Sequence, residues 1–341
     1  MRCYRDGRKN GLFIGLFLII TLLCVTGCAS GEKVVQSESN KAAESNEKGN
    51  SVFPRTLSIE GKEVTVQAQP QQIAALSLNV AETVIDLVGA DSLVAITESA
   101  ENASLSHYSQ EIEEIPYKVK GATSLDPEVV LSYDPDLVLL TLTHGAEQDA
   151  EKLLEQSGTP LASFSRWMTV QDVMENYLAI GQLLGEEEKA EEIVDQLKQK
   201  INQAQSLVKD SDQQPTVLIL SQVGSNTGPY ILGPSSIAYD LIQLAGGTPG
   251  SDVLGLEKSA PASIEHLIDM DPDYIILVEW GTTSDEFQDL VDSEGFQTLT
   301  AVQEDKIKRM KAKDISQANR YIVDQLESLV EWLHPNEIGK E

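Results

Sequence analysis

Along this chain the spacing of apolar residues changes several times, and each change marks an element. The first is a run of 15 residues over 11–25 with almost no polar interruption, GLFIGLFLIITLLCV, preceded by Arg2, Arg5, Arg8 and Lys9. A helix of that length reaches about 22 Å, short of a roughly 30 Å hydrocarbon layer. A basic head, a short apolar core and small residues after it therefore predict a signal peptide, with an uncleaved anchor as the alternative. From 29 to about 52 the residues are small and polar with no period, which predicts a disordered tether with an end-to-end distance of roughly 25–30 Å. Periodic pattern begins near Arg55, where Thr56-Leu-Ser-Ile59 and Val64-Thr-Val66 flank Glu60-Gly-Lys62 as a hairpin. Apolar runs at 73–76, 93–96, 137–140, 161–164, 217–220 and 275–278 read as buried strands, separated by helical patterns such as 81–88, which Gly89 stops. Strand, helix, strand order implies parallel α/β layers. Over 169–208 the pattern is helical, broken only near Gly185, with strand-rich sequence on both sides. That stretch is the natural boundary between two lobes, a pair of surface helices inside one domain being the alternative.

The expected organisation is a signal peptide at 1–27, a tether at 28–54, an α/β lobe at 55–168, a helical linker at 169–209 and a second α/β lobe at 210–341. Composition narrows the class. With 341 residues and 41% hydrophobic content the chain is neither a disulfide miniprotein nor a disordered polypeptide. Its 54 acidic against 25 basic residues give a net charge of -29, which disfavours nucleic-acid binding because phosphate backbones require Lys and Arg. The acid is otherwise what keeps a secreted protein soluble. All three cysteines, Cys3, Cys24 and Cys28, fall in the first 28 residues. Val25-Thr-Gly-Cys28 resembles the bacterial lipobox, which implies cleavage before Cys28 and lipid attachment to its sulfur. A mature chain starting there has no free thiol, and loss of four basic residues and Asp6 takes its charge to -32.

Two segments repeat. Residues 126–140 (DPEVVLSYDPDLVLL) and 263–277 (SIEHLIDMDPDYIIL) superpose at a constant offset of 137. In each, a capping residue opens a short helix with a glutamate two positions on, and Asp-Pro-Asp ends the helix before a buried strand. The glutamates are Glu128 and Glu265. Each has a local reading, since a carboxylate in a first helical turn gains roughly 0.3–1 kcal/mol from the helix dipole. As a pair they are also two equivalent exposed carboxylates, one per lobe.

Lipobox, tether, repeat and central helical region together make the chain similar to substrate-binding lipoproteins of ABC importers, in the iron-siderophore, haem and cobalamin group. The stretches that carry the resemblance run from about Arg55 to Pro335. They include Pro70-Gln-Gln-Ile-Ala-Ala-Leu-Ser77, Ile180-Gly-Gln-Leu-Leu-Gly185, Gly233-Pro-Ser-Ser236 with Ala245-Gly-Gly247, and the two glutamate units. The resemblance implies two Rossmann-like lobes joined by a single long rigid helix, with the ligand cleft between them. It also implies that Glu128 and Glu265 dock on arginines of a permease dimer with its ATPase, that the receptor is a lipid-anchored monomer outside the cytoplasm, and that it carries no cofactor.

In open α/β sheets ligands bind outside the carboxyl ends of the strands. The residues there are Ser77 and Asn79, His144, Arg166 and Trp167, Tyr230, and Trp280. Trp167 and Trp280 either stack on a planar ligand or cover sheet ends. Arg166 either pairs with an anionic ferric chelate or is a solvated loop residue. His144, with Tyr230 or Tyr108 opposite, is a candidate haem ligand or a plain hydrogen-bonding residue. The other histidines are scattered, which argues against a bare metal site. No nucleophile elbow, Walker loop or His-Glu-x-x-His appears, so catalysis is not expected; an enzyme displayed on a lipoprotein tether is the remote alternative. The expected ligand is a ferric siderophore, with haem or cobalamin as the alternative.

Overall fold

The computed structural model describes residues 53–121, 124–208, 214–223, 228–281 and 286–336. The expected signal peptide, the Cys28 lipidation site and the tether up to residue 52 lie outside the described residues.

Strands β1 (Arg55–Ile59) and β2 (Lys62–Val66) form the expected antiparallel hairpin, with Ile59 opposite Lys62. Both turn residues, Glu60 (φ 49°) and Gly61 (φ 77°), are left-handed, the geometry that matches the twist of a two-residue hairpin. Five parallel strands follow: β3 (Ile73–Ala75), β4 (Leu93–Thr97), β5 (Tyr117–Val119), β6 (Leu137–Thr141) and β7 (Leu161–Phe164), in the order β5-β4-β3-β6-β7. The second sheet is built from β8 (Thr216–Gln222), β9 (Tyr230–Ile231), β10 (Thr248–Pro249), β11 (Ala260–Pro261), β12 (Tyr274–Glu279) and β13 (Ile307–Lys311). Its order is β11-β9-β8-β12-β13, with β10 paired to the start of β8. Strands β8, β12 and β13 are parallel, whereas β9 runs antiparallel to β8. Every residue of β6 and β12 is buried, as their uninterrupted apolar runs require of strands covered on both faces.

Helices α1 (Leu78–Val88), α2 (Pro127–Leu131) and α3 (Gly145–Glu155) belong to the first sheet. Helix α1 starts three residues earlier than its periodicity predicts, so Asn79 stands in its first turn rather than in a loop. Helix α1 packs with Ile73, Leu137 and Leu139 on one face, and α3 packs with Ala74, Val138 and Leu140 on the other. The sheet is thus wound in two directions from the β3–β6 boundary.

The linker over 169–209 breaks near Gly185, where its pattern breaks, and so is not the single long helix that the resemblance implies. It consists of two helices, α4 (Val170–Leu184) and α5 (Glu187–Ser206), separated at Gly185, whose left-handed conformation (φ 77°) terminates α4. Both helices bridge the two halves. The backbone N–H of Val170 donates to Asp240 in α6 (Ile237–Leu244) at 2.7 Å, while Lys189 donates to the Leu87 carbonyl at 3.0 Å and Lys200 pairs with Asp324 at 2.5 Å. Burial raises the pKa of Asp240, and its bond from Val170 opposes that shift.

The repeat is a structural one. Asp126 caps α2, accepting from the Glu128 N–H at 3.0 Å, and Ser263 caps Ile264–Met270, accepting from the His266 N–H at 3.2 Å. Asp134 (φ 54°) and Asp271 (φ 40°) then both turn left-handed, a region Asp tolerates better than most residues. Two residues on, Asp136 accepts from the Gln71 and Gln72 N–H groups at 2.7 and 3.0 Å, just before β3. Its counterpart Asp273 accepts from the Thr216 N–H at 2.7 Å, at the start of β8. In each unit a carboxylate therefore ties the repeat to the first strand of its sheet.

The helix pair gives a stability test. A Cβ placed on Gly181 would lie 2.5 Å from the Ala190 Cβ and 3.2 Å from the Glu186 carbonyl oxygen. Gly181→Ala is expected to lower stability by about 1–3 kcal/mol through overpacking, despite alanine's better helix propensity. Urea unfolding measures this, and an unchanged or raised midpoint would show that the two helices part without cost.

Candidate functional site

The cleft begins where the sheet's winding reverses. Because α1 and α3 leave β3 and β6 on opposite faces, a crevice opens at the carboxyl ends of these neighbours. Hydrogen bonds fix its floor. The Ser77 hydroxyl, at the N-terminus of α1, accepts from the Thr141 N–H at 3.0 Å, and the Asn79 amide donates to the Thr141 hydroxyl at 3.0 Å. His144 is the N-cap of α3. Buried Glu147 accepts from its backbone N–H at 2.7 Å and from the Thr143 hydroxyl at 2.7 Å, which leaves the His144 ring half exposed with Nδ1 3.6 Å from Glu147.

Two chambers meet here. The larger, about 700 Å³, is lined by Ser77, Asn79, His144, Arg166 and Trp167 from the first half and by Trp280 and residues 316–318 from the second. The smaller, about 360 Å³, is lined by Tyr230, Leu232, Ile237 and several serines of the second half. Arg166, Trp167, Trp280 and Ser316 border both. The seven residues expected at strand ends are thereby gathered round one cleft, although not in one chamber: His144 lines the larger and Tyr230 the smaller.

The two tryptophans are held differently. Trp167 is buried edge-on against Phe164, with ring centres 6.1 Å apart, and its indole N–H has no hydrogen-bond partner among the described residues. Trp280 donates its indole N–H to the Ser221 hydroxyl at 2.8 Å, and its backbone N–H donates to Glu286 at 2.9 Å. One edge of the Trp280 ring is thus fixed while the ring borders the cavity.

Charge in the cleft is unequally satisfied. The mature chain has four arginines. Arg55 pairs with Glu187, Arg309 with Glu279 at 3.2 Å and Arg320 with Asp86 at 3.5 Å. Exposed Arg166 makes no hydrogen bond or ion pair to any described residue. Four tyrosines lie away from this lining. Tyr108 bonds Asp86 and the Tyr321 hydroxyl, the latter at 2.7 Å, and Tyr117 stacks on Tyr133 with centres 3.8 Å apart. Tyr108 is therefore no partner for His144 across the cleft.

Sequence reading missed Glu98, Lys120 and residues 316–318, which also line the larger chamber. Lys120 follows β5 as Arg166 follows β7, but the three residues of β5, Tyr-Lys-Val, are too few to register as a strand. Residues 316–318 lie beyond β13, whose sequence Ile-Lys-Arg-Met-Lys hides a parallel strand. Glu128 and Glu265 line neither chamber, and each is exposed in the first turn of its helix. Among the described residues no cluster of three or more His, Cys, Asp or Glu side chains is arranged to hold a metal ion.

Comparison with known proteins follows the same outline. Residues 73–313 match the family described as Periplasmic binding protein. An uncharacterized ABC transporter substrate-binding lipoprotein, YvrC of Bacillus subtilis (strain 168), is 22% identical over 332 residues, covering 96% of this chain and 98% of that protein. A cobalamin-binding protein of Halobacterium salinarum is 24% identical over 217 residues, which is 62% of this chain and 55% of that protein. Among solved structures, the periplasmic heme-binding protein RhuT from Roseiflexus sp. RS-1 superposes with a TM-score of 0.67 at 19% identity, covering 78% of this chain and 98% of that one. An ABC-type Fe3+-hydroxamate transport system from Saccharomonospora viridis DSM 43017 gives a TM-score of 0.65 at 24% identity, covering 82% and 99%. At such identities the superpositions speak for the fold. With more than half of its length matched, and with two α/β sheets facing a shared cleft, the chain belongs to the periplasmic binding protein family.

Proposed function

We propose that this chain is a lipid-anchored extracytoplasmic receptor of an ABC importer that captures a ferric siderophore in its cleft and hands it to a permease dimer with its ATPase. The observation that carries the reading is the preformed two-chambered cleft, bordered in both chambers by two tryptophans and by an arginine that pairs with no described residue. In a chain of net charge -29, a guanidinium without a carboxylate partner is an invitation to an anionic ligand. Lys120 adds a second cation to the larger chamber, and the indole faces suit catechol or other planar groups. The lipoprotein name of the Bacillus relative supports anchoring through Cys28. No chemistry on the ligand is needed, and the receptor acts as a monomer.

Haem or a corrinoid is the alternative ligand, in line with the names of the heme-binding and cobalamin-binding relatives. An axial His144–Tyr230 pair is disfavoured because the two residues line different chambers. Each half also presents one exposed glutamate, Glu128 and Glu265, in the same repeat unit, which supports paired docking on permease arginines. Exposed ion pairs are individually worth less than about 1 kcal/mol, so the pair would orient and select the permease more than hold it.

Titration of the mature protein with ferric catecholate and hydroxamate chelates, haem and cobalamin, followed by Trp fluorescence and visible absorbance, tests the ligand class. A ferric catecholate is expected to quench tightly, and Arg166→Ala to weaken it about 10- to 100-fold, the loss of one charged hydrogen bond. A Soret shift lost in His144→Ala would instead favour haem, and no response to any of them would refute the receptor reading. For docking, Glu128→Ala with Glu265→Ala is expected to abolish uptake by cells while leaving chelate affinity unchanged. Undiminished uptake would remove the docking role.

A further inference from the structure

Behind the cleft, three segments that are distant in sequence converge on a carboxylate that no cation among the described residues touches. Glu82 lies in α1, one turn beyond the cleft-lining Asn79. Asn319 directly follows the cleft-lining residues 316–318. Both are fully buried, and the Asn319 amide donates to Glu82 Oε2 at 2.6 Å. Glu82 Oε1 accepts from the Ser106 hydroxyl at 2.9 Å and from the His107 N–H at 2.8 Å. The loop 104–108 is itself stitched to the second half. The Ser104 hydroxyl donates to the Gly281 carbonyl at 2.8 Å, the Lys313 N–H donates to the Ser104 carbonyl at 3.1 Å, and the His107 ring stacks on Tyr321 with centres 4.3 Å apart.

The groups around Glu82 are unevenly charged. On its own helix, Asp86 is the neighbouring acid, but Asp86 receives hydroxyls from Tyr108 of the loop and Tyr177 of α4, and Arg320 of the second half stands 3.5 Å away. Lys189 of α5 also acts on Asp86. Lys313 and Asp314 face His107, whose pKa burial lowers, and Asp324 acts on it from further along the chain. Among the described residues every donor to Glu82 is therefore neutral and it has no ion pair.

We infer that Glu82 is a positioning residue for the cleft: as a neutral carboxyl group it lets α1 and the 316–321 segment close on each other, and as a buried carboxylate it loosens them. The sign follows from solvation. Ionising a carboxyl group in a dry contact with only neutral donors is costly, so the closed arrangement holds the proton more tightly than an opened, hydrated one. Burial raises the Glu82 pKa from 4.5 to about 7 even though all three donors lower it. Closure is strongest below about pH 4.5, is lost as pH rises through about 7, and levels off above that. Because the device moves Ser77 and Asn79 relative to residues 316–318, it acts on the cleft whatever ligand fills it.

Hydrogen exchange of the ligand-free mature chain, corrected for intrinsic rates, tests this without a ligand. Amides in 104–108 and 313–321 are expected to be at least tenfold less protected at pH 8 than at pH 5, while those of α5 change little. Glu82→Gln, neutral at every pH, should abolish the difference. Ser106→Ala removes a donor that favours the charged form, so it should move the midpoint of the profile to higher pH, and it decides the question if Glu82→Gln does not fold. An equal loss of protection in Glu82→Gln, a flat wild-type profile or an unmoved midpoint in Ser106→Ala would each overturn the inference.

Discussion

The cleft depends on how β3 and β6 are covered. A parallel sheet buries both faces, and its crossovers must be right-handed, so two neighbouring strands whose connections lead to opposite edges send their helices to opposite faces. Here α1 and α3 diverge in this way. Their N-termini leave the carboxyl ends of β3 and β6 uncovered, with Ser77, Asn79 and Thr141 bonded across the gap. The strand-end residues beside the gap, His144 from β6 and Arg166 and Trp167 from β7, inherit their position from that divergence. The second half then supplies Trp280 and residues 316–318 as the opposite wall.

The same constraint explains the economy of the repeat. Asp136 and Asp273 each bind backbone N–H groups at the start of the first strand in their sheet, at the end away from the cleft. A carboxylate that fixes strand entry on one edge leaves the opposite edge free for ligand contacts. Glu128 and Glu265 are exposed in the first turns of α2 and of its counterpart.

Charge is distributed in the same spirit. Arg55, Arg309 and Arg320 are spent on carboxylates within the fold, and burial raises Asp86 and Glu82 in the contact that joins the halves. Arg166 is left over. Of the two acids that line its larger chamber, Glu147 is already occupied by the Thr143 and His144 donors, and Glu98 forms no ion pair with Arg166.

Much of this was legible in one dimension. Uninterrupted apolar runs located β3, β4, β6, β7, β8 and β12 because strands buried on both faces have no polar alternative. The 137-residue offset exposed the repeat because its caps and Asp-Pro-Asp turns act locally. That ligands bind at the carboxyl ends of strands in open α/β sheets needs only the strand ends to be known, so Ser77, Arg166, Trp167 and Trp280 could be named in advance. What pattern could not reach were features set by long-range packing. The two linker helices pack closely because Gly181 admits Ala190 at short range, a contact that the break near Gly185 alone does not reveal. Tyr108 left the cleft for Asp86, since a buried carboxylate attracts any hydroxyl that the fold brings near. Lys120 and residues 316–318 entered it from strands too short or too polar to recognise. The sequence determined the elements and their edges because these follow from local period and capping. Only the tertiary structure decided which side chains share a chamber and which carboxylate is left without a cation, because those depend on segments that meet more than 200 residues apart, as Glu82 and Asn319 do.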